Sequence, residues 1–119
     1  MVGYSTAHYF LEALVDLGVE YIFANLGTDH VSLIEEMARW GQEGRKHPEV
    51  ILCPHEVVAV HMAGGYALAT GCAQAVLVHV DAGTANACMA STATASRWCH
   101  STTSAAATAG STWRPSRAF

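Results

Sequence analysis

Three short apolar runs, "EYIFANLG" from Glu20, "VILC" from Val50 and "AQAVLVHV" from Ala73, are separated by stretches with helical spacing. This alternation limits the fold more than any other feature of the chain. Short, almost uninterrupted apolar strands are typical of parallel sheets covered on both faces, and strands that alternate with helices build βαβ units. Ahead of the first run, Thr6 is suited to cap a helix reaching about Leu17, with Gly18 as its stop. Ala7, Phe10, Leu11, Leu14 and Val15 give that helix one apolar stripe. "HVSLIEEMARWGQ" returns to helical spacing through Val31, Ile34, Met37 and Ala38, and a third helix runs from about Glu56 to Thr70. The expected fold class is α/β, a three-layer doubly wound parallel sheet. Ligand sites in such folds lie at the carboxyl ends of the strands. The loops "NLGTD", "PHE" and "DAGTAN" occupy those ends, and each is polar or glycine-bearing.

With 119 residues and a formal charge of −4, the chain has room for one domain and no electrostatic reason to bind nucleic acid. No apolar run approaches the roughly 20 residues that span a bilayer, so no membrane partner is expected. "MVGYSTAHYF" lacks the basic start and apolar stretch of a secretory signal, which points to a cytoplasmic location. Cys53, Cys72, Cys88 and Cys99 form no CxxC pair; Cys53 and Cys72 are expected to be small buried hydrophobes.

The character of the chain changes after residue 87. All 10 acidic residues lie at or before Asp81. From Cys88 to Phe119 there is no Leu, Ile, Val, Asp or Glu, and Ala, Ser and Thr fill most positions. Such a segment has too little branched apolar surface to close a core of its own.

Among residues that could carry chemistry, Glu56 stands out: a carboxylate at the first turn of an otherwise apolar helix, just after "CPH". The free N–H groups and dipole of a helix N-terminus favour a negative charge there. The position suits an ordinary acidic first-turn residue, and equally a carboxylate kept in a dry cleft to exchange a proton or grip a ligand nitrogen. Burial raises its pKa and the helix terminus lowers it, so its state is left open. His55 and His61 are six residues apart, whereas a HExxH zinc site needs four. Cys53, His55, His61 and His79 have no recognised ligand spacing, and no metal site is expected from them. His61, in mid-helix, reads as a satisfied core or interface histidine. A dinucleotide fingerprint and a P-loop are both missing.

The stretches "TAHYFLEALVDLGVEYIFANLGT", "HEVVAVHMAGGYALATG" and "HVDAGTANA" occur in this order. From Thr6 to Ala87 the chain resembles the N-terminal pyrimidine-binding domain of thiamine diphosphate-dependent enzymes of the acetolactate synthase and benzoylformate decarboxylase superfamily. The resemblance implies thiamine diphosphate (TPP) as cofactor and a 2-oxo acid as substrate. It implies that Glu56 is the glutamate that hydrogen-bonds N1′ of the cofactor's aminopyrimidine and so promotes loss of the thiazolium C2 proton. Gly27 and Thr28 match a loop facing cofactor and substrate, and Gly83, Thr84 and Asn86 a loop near the pyrimidine. His79 falls where benzoylformate decarboxylase-like members carry an active-site histidine; a strand-end histidine without a catalytic role is the other reading. The cofactor-binding set implied is therefore Gly27, Thr28, Glu56, Gly83, Thr84 and Asn86, the catalytic pair Glu56 and His79.

The family binds diphosphate and Mg²⁺ through a C-terminal domain with a Gly-Asp-Gly…Asn motif, to which nothing here corresponds, so Mg²⁺ is expected only through that domain. Its members assemble as homodimers or tetramers with sites shared between subunits. The expected organisation is a partial pyrimidine domain over 1–87 and an aberrant, frameshifted or disordered tail over 88–119. Where the family has Leu-His-Gly, this chain has Cys88-Met89-Ala90. The codons TGY-ATG-GCN, read one nucleotide earlier, give Leu, Met or Val, then His or Tyr, then Gly. The chain is thus expected to be an N-terminal fragment of a lyase or transferase, inactive alone. A non-catalytic α/β assembly module and an unrelated flavodoxin-like domain stand as alternatives.

Overall fold

The structure, a computed structural model, describes residues 4–91; the remainder of the tail, from residue 92, lies outside the described residues. Its elements are α1 (Thr6–Asp16), β1 (Tyr21–Ala24), a 3-10 turn (Thr28–His30), α2 (Val31–Gln42), β2 (Glu49–Leu52), α3 (Glu56–Thr70) and β3 (Ala75–Leu77). A further helix, α4, occupies residues 82–91. The strands form one parallel sheet in the order β2-β1-β3, with Ala24 opposite Leu52 on one side and Leu77 on the other. The doubly wound α/β expectation holds. The crossover from β1 to β2 and that from β2 back past β1 to β3 run in opposite directions. Two crossovers of one hand must then cover opposite faces, and α2 and α3 do.

Successive side chains of a strand point to opposite faces, and β1 divides the core accordingly. Ile22 and Ala24 pack with Leu11 of α1 and Leu33, Met37 and Trp40 of α2. Phe23 packs on the other face with Cys53 and with Ala59 and Ala63 of α3. The small buried residues of α3, Ala59, Ala63 and Gly64, bring its backbone close to the sheet. Its end is set by Gly71, whose φ of 77° gives the left-handed stop that glycine tolerates best. Among the described residues no helix is long and apolar enough to cross a membrane.

Several local expectations shift. The cap of α1 is Ser5, whose hydroxyl accepts from the His8 N–H at 3.2 Å; Thr6 is already helical. Phe10 and Val15 are exposed, while His8 is buried beside Leu11. In α2 the inward face is Leu33, Glu36, Met37 and Trp40, and Val31 and Ile34 look outward. Cys53 is buried as expected, but Cys72 is exposed. His61 is exposed as well, its Nδ1 2.7 Å from the Val57 carbonyl oxygen.

The shift in helix phase has a physical cause. Glu36 is turned inward because it is fully partnered there: His8 Nδ1 lies 2.7 Å from its Oε1, Trp40 Nε1 donates to the same oxygen at 2.8 Å, and Arg39 pairs with the carboxylate. The Arg45 guanidinium stacks 3.9 Å above the Trp40 ring. Arg39 first, then His8 and Trp40 by their hydrogen bonds, hold Glu36 down to about 2 against desolvation. A folded-state pKa below the unfolded value contributes stability that is present above the unfolded pKa and lost on acidification. The contribution of Glu36 is thus expected to disappear as pH falls from about 4.5 to about 2. Urea midpoints of wild type and Glu36→Gln should converge across that window; a constant gap would contradict the linkage.

Candidate functional site

The carboxyl ends of β1 and β3 adjoin, at the point where the chain departs from β1 in both directions. Such a switch point is where open α/β sheets bind ligands. Glu56, the first residue of α3, lies there and is 6% exposed. His55 caps the helix, its Nδ1 accepting from the Val57 N–H at 3.2 Å, which fixes the first turn and with it Glu56. Each carboxylate oxygen accepts an amide hydrogen: Asn25 Nδ2 donates to Oε1 at 2.7 Å and Asn86 Nδ2 to Oε2 at 3.0 Å. Asn25 follows β1, and Asn86 belongs to α4.

The Asn86 amide, the residue's own backbone N–H and the Asn25 amide hold the Glu56 carboxyl below its usual range; desolvation opposes them and His55, 3.8 Å away, assists. The two N-terminal helix ends at this spot also favour the ionised form. A carboxylate offers about four acceptor positions. Two amides and one backbone N–H leave it room for one more donor, so the site fits a ring nitrogen that presents an N–H, such as that of an aminopyrimidine in its imino or protonated form. Asn86, one of the expected cofactor-binding residues, has its amide engaged with Glu56.

The two glycines of the expected set are explained by close approach. A Cβ on Gly83 would stand 2.9 Å from Glu56 Oε1. A Cβ on Gly27 would come within 2.7 Å of three atoms of the His79 ring. Gly27 has extended φ and ψ of −136° and −176°, so sterics alone demand glycine there. Gly83→Ala is expected to displace the Glu56 carboxylate from Asn25. The Asn25 side-chain amide signals in the ¹⁵N spectrum report it, and their persistence unshifted would contradict the packing.

His79 lies at the end of β3, with its Nδ1 2.5 Å from Asp29 Oδ1. It is thus brought to the loop of Gly27 but makes no hydrogen bond to Glu56 among the described residues. Thr84 hydroxyl donates to the His79 carbonyl at 3.5 Å, and Thr28 is exposed at the start of the 3-10 turn. Sequence reasoning missed Asn25, Asp29 and His30. His30 is buried and bridges the two loops: its Nδ1 accepts from the Gly27 N–H at 3.0 Å, and its Nε2 lies 3.2 Å from the Val78 carbonyl. The signal available was position, since all three stand in the loop after β1. Among the described residues no three His, Cys, Asp or Glu side chains are grouped to hold a metal ion.

The family model for the thiamine pyrophosphate enzyme, N-terminal TPP binding domain, matches residues 4–98. The chain belongs to this family. It is also similar to the acetolactate synthase large subunit of Haemophilus influenzae, at 40% identity over 83 residues, which is 70% of this chain and 14% of that protein. The chain therefore spans about a seventh of the length of that relative. For a TPP binding domain, the flavodoxin-like alternative falls away. The family match also runs past residue 87 to residue 98, and α4 is helical across that boundary to residue 91.

Proposed function

We propose that this TPP binding domain supplies the pyrimidine-binding half of a thiamine diphosphate site, with Glu56 as its proton-exchanging carboxylate. The observation that carries this reading is the Glu56 carboxylate gripped by Asn25 and Asn86 at the sheet's switch point, with room for one further donor. When bound, thiamine diphosphate supplies a carbanion equivalent that attacks and stabilises charge next to a carbonyl. The chain's own residues do the rest. Asn25 and Asn86 orient Glu56, Glu56 holds a proton shared with the ring nitrogen, and Gly27, Thr28, Gly83 and Thr84 border the cleft. His79 is the second proton-exchanging group of this reading.

The substrate proposed is a 2-oxo acid, and the reaction of the whole enzyme that of a lyase or transferase, in keeping with the acetolactate synthase relative. Mg²⁺ and the diphosphate would be held by another domain, in a cytoplasmic homodimer or tetramer. The division into a domain over 1–87 and a frameshifted tail belongs to the same proposal. The gene sequence tests it, because a diphosphate domain should be encoded in a neighbouring frame. For the cofactor itself, the test is calorimetric titration with thiamine diphosphate and Mg²⁺ of this chain mixed with a full-length relative. Heat that depends on Glu56 supports the site; titration curves identical with and without this chain leave only an assembly role.

A further inference from the structure

Asp29 and Glu56 are both acidic residues of the edge described above, and only Glu56 has been given a role. Asp29, from the loop after β1, reaches across to His79, 50 residues further on, and contacts Nδ1 at 2.5 Å. The contact is held from three directions. Gly27 lets the ring sit directly on the loop backbone. His30 ties that loop to the Val78 carbonyl, one residue before His79. The Thr84 hydroxyl donates to the carbonyl of His79 itself. Nδ1 is therefore engaged, whereas Nε2 has no hydrogen-bond partner among the described residues, and the side chain is 43% exposed.

We propose that Asp29 is the positioning residue of His79: it fixes the ring plane and the Nδ1–H form, leaving Nε2 as the nitrogen that exchanges protons at the cleft. This rests on the reading of His79 as a proton-exchanging group. The chemistry is that of any imidazole whose tautomer is set by a carboxylate on its other nitrogen. Among the described residues the titratable groups facing His79 are Asp29 and the His30 ring, at 6.2 Å between centroids, and His30 Nδ1 lies 3.3 Å from the same Asp29 oxygen. Desolvation opposes it, but the His79 hydrogen bond, a backbone hydrogen bond and the nearby histidines hold the Asp29 carboxyl below its usual range, so it is an anionic acceptor at neutral pH.

The test is long-range ¹⁵N NMR of the histidines in the full 119-residue chain, without cofactor, at a pH where the ring is neutral. His79 is expected to be mainly the Nδ1–H tautomer. Asp29→Ala should move the tautomer ratio roughly tenfold towards Nε2–H, the equivalent of losing one charge-assisted hydrogen bond, and Asp29→Glu should restore it. An Nε2–H majority in wild type overturns the proposal, as does an unchanged ratio in a folded Asp29→Ala chain. The wild-type spectrum decides by itself if that variant does not fold. Because no cofactor is present, failure of the calorimetric titration and failure of this pairing are read separately.

Discussion

Replacing Trp40 by alanine is expected to lower folding stability by about 3–5 kcal/mol, the range for removing a buried tryptophan from a packed core. Trp40 is 2% exposed, closes the α1–α2 face of β1, and lies beneath the Arg45 guanidinium. Its indole N–H also donates to Glu36 at 2.8 Å. Truncation thus opens a cavity and removes a donor from a buried carboxylate, two costs that add. Against the 5–15 kcal/mol typical of a whole domain, such a loss brings the chain near unfolding. Urea denaturation followed by circular dichroism measures it, and a loss below about 1 kcal/mol would show that the face repacks. Trp40→Phe keeps most of the volume and should fall between wild type and alanine.

Glu56→Gln is expected to reduce C2 proton exchange of thiamine diphosphate by roughly 10²–10⁴-fold, the usual worth of a positioned acid–base group. The measurement is deuterium exchange by NMR with a full-length partner and Mg²⁺ supplied. The substitution is nearly isosteric, but it removes the acceptor that two amides now share. At one oxygen position an amide NH₂ would face the NH₂ of Asn25 or Asn86. One of those asparagines must turn, so part of the effect comes from lost orientation. Glu56→Asp, which keeps the charge and shortens the reach, separates the two contributions. Undiminished exchange in Glu56→Gln would remove the residue from the proposed role.

The strand and helix order was legible because it rests on period and on length. Helix α3 begins and ends at the expected residues, Glu56 and Thr70, because a capping residue and Gly71 mark both ends. The facing of α1 and α2 was not legible. A pattern count places Val31 and Ile34 inside and Glu36 outside, since an acid is costly to bury without partners. The partners of Glu36 include His8, 28 residues away, and only the packing of two helices reveals that pairing. The same holds at the candidate site. Glu56 could be singled out from its setting, and Gly27 and Gly83 from resemblance. That these glycines make space for His79 and Glu56 is visible only in three dimensions. So is the engagement of Asn25, a residue that, taken alone, reads as a turn former.

The carboxylate of Glu56 joins segments that are otherwise separate in the chain: the loop behind β1, the start of α3 and the first turns of α4. It acts as a rivet through three plates. Movement of the start of α3 strains both amide contacts and movement of either neighbour strains one, so these segments should open and close as a cooperative unit. Glu56 thereby adds to the ties that His30 and the Asp29–His79 contact make between the neighbouring loops, and a ligand that takes its remaining acceptor position tightens all three segments together.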